Sequence, residues 1–403
     1  MKKGTKAAVF AAAVIGIAFS VKVDADAASK ITRVKQTDAG DHSVALSWDA
    51  SLECEHYVIE FSDDLMKWVR MEDTTGTEAS VYKLSSGSSY YVRVTGYTDW
   101  SWIKDTGTVC ANASDPIEVV TAPDVNSMSV SQTDAATSGF TVQFNGGSNS
   151  GANYYCVYLQ GNDVPIGVSD KPEVVVDGKL DAGAGYWCYS YACRMSSAGF
   201  VARGTRSFDQ FKTLTGKIGR SAFSISNGWH ELNSYNFTIA NTSSVDGYQL
   251  QFLNASGKTK KTFTQPGNTF RVSDLVQGTF YQYRVRTYID CGVKKIYSPW
   301  SDCRYIGIPK KVTLDTKSSA LKFSWSKVAG ASKYEVYMST SENSGYQKIK
   351  TAKAGSRTVS ITKFKGKKIK KGKKYYIRIF SYAKVDGKSV KTEAAWSGYY
   401  RRY

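Results

Sequence analysis

One short pattern, repeated, constrains this chain more than any other feature. An apolar residue, two of any kind, a glycine, two more and a tyrosine recur four times. The copies are LSSGSSYYVRV from Leu84, LDAGAGYWCYS from Leu180, LVQGTFYQYRV from Leu275 and IKKGKKYYIRI from Ile369. Their tyrosines, Tyr90, Tyr186, Tyr281 and Tyr375, stand at intervals of 96, 95 and 94 residues. A constant period of this size marks tandem structural units. About 95 residues is enough for one small domain, so the 403-residue chain holds four after its leader.

Each unit reads as β. Alternating apolar residues occur near every start: Val44/Leu46/Trp48, Phe140/Val142/Phe144, Phe237/Ile239 and Leu321/Phe323/Trp325. Period two puts one side chain inward and the next outward. A second strand follows in each: HYVIEF from His56, NYYCVYL from Asn153, YQLQF from Tyr248 and YEVYM from Tyr334. Several short strands between turn signals predict a β-sandwich. Hydrophobic residues at 42% supply cores, which excludes wholesale disorder, and 7 Pro against 34 Gly excludes collagen-like and Pro-rich repeats.

These residues resemble the fibronectin type III domain family. The marks are an aromatic on the second strand, a Tyr opening the third, and Leu-x-x-Gly-x-x-Tyr leading into the sixth. Repeat one carries them as Trp48, Tyr57 and Leu84/Tyr90, repeat four as Trp325, Tyr334 and Ile369/Tyr375. Repeats two and three depart, with Phe144 and Ile239 in place of Trp. The resemblance covers essentially the whole mature chain and implies four tandem immunoglobulin-like β-sandwiches strung as a rod. Repeat four also looks like Lys-rich repeats of proteins secreted by Gram-positive bacteria. Physically, the glycine permits a positive-φ turn. The tyrosine packs its ring at the sandwich corner and returns its hydroxyl to nearby backbone. Trp48, Tyr90, Tyr186, Tyr281, Trp325 and Tyr375 are therefore structural.

The leader reads MKKGTKAAVFAAAVIGIAFSVKVDADA. Lys2, Lys3 and Lys6 precede an uncharged apolar run from Ala7 to Val21, and Ala25 and Ala27 supply small residues for cleavage. This is a secretory signal peptide over 1–27, the run being short for a membrane span of ~20 apolar residues. No later segment approaches a transmembrane helix. The short joints at TAPDV, TLTGK and IPKKV set domains at 28–122, 123–214, 215–309 and 310–403. The expected location is secreted or extracellular, with association to the cell wall as an option.

Export permits disulfides. Of seven cysteines, Cys54 and Cys110 lie in loops at one end of the first sandwich and are expected to pair. Cys291 and Cys303 flank the last turn of repeat three and could pair to close it. Parity counted from Tyr186 buries Cys188 and turns Cys193 outward, as Cys156 is turned in its own strand, which favours Cys156–Cys193. An odd cysteine could pair between molecules, and several could be small buried thiols.

Little catalytic chemistry is visible. The 3 His fall at 42, 56 and 230, in no two-His motif, and no Ser-His-Asp set, P-loop or dinucleotide fingerprint occurs. No enzyme activity, cofactor or metal is expected. Two features could bind. The first is YTDWSWIKD, with Tyr97, Trp100 and Trp102 in the loop between the last two strands of repeat one. Exposed Trp offers a flat face to a sugar or protein, while covering a core edge or a joint is the plain alternative. The facing of Trp68 is open, and Trp300 and Trp396, placed alike in two repeats, read as packing. The second feature is charge. Residues 310–403 hold 24 basic against 5 acidic residues, a net of +19, and residues 1–309 hold 29 against 30. Lys363, Lys365, Lys367, Lys368, Lys370, Lys371, Lys373 and Lys374 form the densest run. Such a field attracts a polyanion, with an anionic wall polymer first among candidates, or is simply a solvated face. No specific nucleic-acid readout is visible. The expected function is an exported, non-enzymatic binding or adhesion protein with a protein or glycan ligand. A carbohydrate-binding or spacer accessory of an extracellular glycan-degrading system is the alternative.

Overall fold

The structure, a computed structural model, describes residues 29–124, 128–146, 151–227, 232, 234–315, 320–393 and 396–401. The leader and its expected cleavage after Ala27 lie outside the described residues. The first domain runs β1 (Lys35–Ala39), β2 (Val44–Ser47), β3 (His56–Ser62), β4 (Val69–Thr74), β5 (Glu78–Val81), β6 (Ser89–Ser101), β7 (Thr106–Ala111) and β8 (Ile117–Val120). One sheet is β1-β2-β5; the other is β4-β3-β6-β7, with β8 also on β6.

The same pairing of a three-stranded sheet with a larger one of four or five strands recurs. The second domain has β9 (Ser129–Ala135), β10 (Phe140–Asn145), β11 (Tyr154–Leu159), β12 (Gly167–Ser169), β13 (Glu173–Val176), β14 (Gly185–Met195) and β15 (Val201–Lys212). These form sheets β13-β10-β9 and β12-β11-β14-β15. The third has β16 (Phe223–Asn227), β17 (Tyr235–Ile239), β18 (Gly247–Leu253), β19 (Thr259–Gln265), β20 (Thr269–Val272), β21 (Phe280–Asp290), β22 (Lys295–Tyr297) and β23 (Arg304–Gly307). In the fourth, β24 (Val312–Asp315), β25 (Leu321–Trp325) and β28 (Thr358–Ile361) make the small sheet. Its large sheet joins β26 (Ala331–Ser339), β27 (Gln347–Lys353), β31 (Lys374–Val385), β32 (Lys388–Lys391) and β33 (Trp396–Arg401). A small hairpin of β29 (Lys363–Phe364) and β30 (Lys367–Lys368) lies between β28 and β31. The chain is therefore four tandem immunoglobulin-like sandwiches. No helix among the described residues is long and apolar enough to cross a membrane.

The alternating residues meet between the sheets. Val44, Leu46, Trp48, Tyr57, Ile59, Val92 and Val94 form the first core, and Leu321, Phe323, Trp325, Tyr334, Val336 and Ile377 are among those forming the fourth. The four motif glycines all have positive φ: Gly87 57°, Gly183 71°, Gly278 80° and Gly372 76°. That turn carries the backbone over the motif tyrosine five residues after the turn's first amide. Its hydroxyl accepts a hydrogen bond from Ser85 N onto Tyr90 at 2.9 Å, and from Asp181 N onto Tyr186 at 2.6 Å. Val276 N onto Tyr281 and Lys370 N onto Tyr375 repeat it at 3.1 Å. A second set of tyrosine pins lies on the third strand. Tyr57, Tyr248 and Tyr334 accept from Ser51 N at 3.1 Å, Thr242 N at 3.1 Å and Val328 N at 2.8 Å.

The cysteines divide. Cys54–Cys110 is a disulfide with Cα atoms 5.7 Å apart. Cys156–Cys193 is not formed, and both residues, expected to face outward, are fully buried. Cys188 is buried too, and burial with the Asp209 charge pushes its thiol up to about 12. Cys291–Cys303 is corrected as well: both are thiols. Cys291 follows the far end of β21, whereas Cys303 precedes β23, whose Arg304 pairs with Tyr283 at the near half of β21. The levels differ by about seven residues, roughly 23 Å of strand, far beyond a disulfide's ~4.4–6.8 Å Cα reach.

The third and fourth domains are joined by more than their linker. Glu393 N donates to Tyr305 O at 2.6 Å and Ala329 N to Gly278 O at 2.8 Å. Arg304 Nη2, 11% exposed, lies 2.8 Å from Glu393 Oε1. A Cβ on Gly307 would stand 2.2 Å from Ser381 Oγ, so only glycine lets this strand approach so closely.

Candidate functional site

The aromatic segment of repeat one is not a loop. β6 runs on to Ser101 and returns as β7, forming a long hairpin. Register slips between Gly96 and Tyr97 and between Thr98 and Ser101. Asp99, inside the second slip, has φ 51°, a conformation Asp tolerates better than most residues. Such a bulge re-aims the following side chain. Trp100 is thereby laid on His56, ring centroids 3.9 Å apart and planes 16° apart. Tyr97 meets Trp100 edge-on at 5.3 Å, and Trp102 meets the His56 edge at 5.0 Å.

Charges brace the stack. The Arg70 guanidinium lies 5.2 Å from the Trp100 ring centre and binds Asp73 at 2.6 Å and Asp105 at 2.7 Å. Asp105, with φ 53°, sits at the start of the return strand, so this pair ties the hairpin to β4. His56 is 1% exposed, and its Nε2 is 2.8 Å from Asp73 Oδ2 without the alignment of a hydrogen bond. Burial opposes the Arg70 charge, but its hydrogen bonds to Asp105 and Asp73 raise its pKa overall. Burial, with the Glu60 charge, pushes the Tyr97 hydroxyl up.

The three sequence candidates therefore separate. Trp100 and Tyr97 are half-buried braces, and Trp102 remains 68% exposed at the hairpin end beside Ile103, 99% exposed. His56, Arg70, Asp73 and Asp105 were missed, because their convergence depends on strand register. Trp68, just before β4, lies under the Arg93 guanidinium at 4.3 Å. Trp300 is held between Arg284 at 4.5 Å and Arg286 at 4.1 Å. The side chain of Trp396 lies outside the described residues.

His56 gives this brace a pH dependence. Burial holds its imidazole below the ordinary 6.5; the Arg70 charge adds to this, and the Asp73 and Asp105 carboxylates do not offset it. Unfolding restores the ordinary pKa. The stability tied to neutral His56 is thus fully present above about pH 6.5 and is lost as pH falls toward the lowered folded value. Melting of the full chain should show the first domain's transition moving down between about pH 7.5 and 5.5, where His is the side chain that ordinarily titrates. His56→Gln should flatten that slope. An unchanged slope would place the titration elsewhere.

In the fourth domain the lysine run occupies β29, β30 and the turn before β31. Lys363, Lys365, Lys367, Lys368, Lys370, Lys371, Lys373 and Lys374 are all exposed. Phe364 and Ile369, buried between them, fix the segment to the core. Among the described residues, no group of three or more His, Cys, Asp or Glu is placed to hold a metal ion.

No family model matches the chain, and no curated protein matches it. Among solved structures it is similar to the crystal structure of chicken CNTN1 FN1-FN3 domains, at 16% sequence identity. That match covers 70% of this chain and 99% of the other, with a TM-score of 0.30.

Proposed function

We propose that this chain is an exported, non-enzymatic binding or adhesion protein acting at the cell surface or in the extracellular space. One observation carries the reading: an exposed Trp102–Ile103 tip stands on a hairpin held rigid by Trp100, His56 and Arg70. A braced apolar tip has little ordering entropy left to lose on contact, which favours recognition. The strongly basic fourth domain then acts as a holding element on an anionic polymer, through counterion release. The flat indole of Trp102 also suits a sugar ring, which supports the second reading, a carbohydrate-binding accessory.

The test uses the full chain. Trp102→Ala with Ile103→Ser should reduce capture on target-cell surfaces by roughly tenfold or more, the scale of an interface hot spot, with the melting temperature unchanged. Trp100→Ala should lower the first domain's stability instead. Selective, Trp102-dependent hits on a glycan array would select the accessory. Full capture by the tip variant would remove the site.

A further inference from the structure

The lysine run is not the most organised cationic surface of the fourth domain. The outward face of its large sheet alternates rings and cations along and across the strands. On β31 the outward positions are Tyr376, Arg378, Phe380 and Tyr382; on β26 they are Lys333, Glu335 and Tyr337. Register sets Arg378 beside Tyr337, Phe380 beside Glu335, and Tyr382 between Lys333 and Lys391. Each cation lies over a ring: Lys333 over Tyr382 at 4.1 Å, Arg378 over Tyr346 at 4.0 Å and Lys391 over Phe380 at 4.2 Å. Lys374 extends the row over Tyr399 at 4.2 Å.

A buried carboxylate lies within this array. Glu335, its side chain 8% exposed, accepts hydrogen bonds from Tyr382 at 2.9 Å and Tyr337 at 3.1 Å. Lys348 and Lys391 stand 3.5 and 3.7 Å from it. Burial works to raise its pKa, but the Tyr382 and Tyr337 hydrogen bonds and the two lysines hold it lower overall. Glu335 thus serves as an internal tie for Lys348 and Lys391, while Lys333, Arg378 and Lys374 are seated on rings.

We propose that this sheet face, rather than the 363–373 part of the lysine run, is where the fourth domain takes a linear acidic polysaccharide. The proposal rests on the reading of this domain as a polyanion holder and names its surface and ligand class. Cations seated on rings have already lost rotamer freedom, so a carboxylate meets them at a smaller entropic cost than exposed lysines of the run such as Lys367, Lys370 and Lys371. The cations follow one another along and across adjacent strands, matching an extended chain of sugar rings. A single-stranded nucleic acid would draw its affinity from base stacking, yet here the protein's own cations occupy ring faces.

The experiment compares two triple variants of the full chain that remove equal charge: K333Q/R378Q/K391Q on the face and K367Q/K370Q/K371Q on the run. Binding to a polygalacturonate oligomer is measured at low and high salt, with an oligothymidylate of equal charge as the competing probe. The face variant should lose roughly tenfold or more in affinity and shed about two units of salt slope, as expected for three lost contacts to a single strand of charge. The run variant should stay within about threefold. If the face triple fails to fold, Lys333→Gln and Lys391→Gln singly supply the comparison, and Arg378→Lys should retain binding. Equal loss in both triples would overturn the face while leaving polyanion holding intact. Tighter oligothymidylate binding would overturn the ligand class. No binding by the unsubstituted chain at low salt would overturn the holding role itself.

Discussion

Tyr90→Ala is expected to destabilise the first domain by about 3–5 kcal/mol, the cost of emptying a large aromatic site in a packed core. The ring is 5% exposed and lies 6.0 Å from Phe61, so its volume cannot be recovered by solvent. Tyr90→Phe separates packing from the hydrogen bond. It keeps the ring and removes the acceptor of Ser85 N, at a cost of about 1 kcal/mol. Denaturant unfolding of the full chain resolves the two if the first domain's transition is followed. An Ala variant as stable as the parent would mean that the ring does not close the corner.

The second large effect concerns Cys54–Cys110, which spans 56 residues and ties the approach to β3 to the end of β7. Constraining a loop of that length in the unfolded chain is worth about 2–4 kcal/mol. Cys54→Ser with Cys110→Ser should therefore lower the first domain's melting temperature by on the order of 10 °C or more. Reductant should reproduce the shift in the parent and leave the other domains' transitions in place. Melting indifferent to reductant would sink the prediction. The bridge also explains Gly96, where an added Cβ would stand 2.6 Å from Cys54 Sγ and 3.3 Å from the Ala111 Cβ. Gly96 is needed for closeness, since its φ is not in the left-handed region.

Much of the fold was legible because its signals are local. The glycine turn and its tyrosine sit within seven residues, and the core residues alternate within single strands. The tyrosine pins at Tyr57, Tyr248 and Tyr334 are local too, but no glycine marks them, and the turn they cap has no fixed composition. Features that depend on register were not legible. Cys291 and Cys303 are close in sequence, yet the return along β21 carries them apart. Period two puts Trp100 on the same face as Thr98, and the bulge at Asp99 turns it onto His56. The lysine run dominates any charge count, while Lys333, Arg378 and Lys391 are scattered in sequence and become one array through the pairing of β26, β31 and β32.

The interlocked joint between the third and fourth domains has a mechanical consequence. A tether fastened to the fourth domain would load the third through backbone hydrogen bonds and the Arg304–Glu393 pair as well as through the connecting peptide. A side chain at position 307 would push against Ser381 and open this joint. Extension under tension must break these hydrogen bonds and the Arg304–Glu393 pair before the linker can pay out.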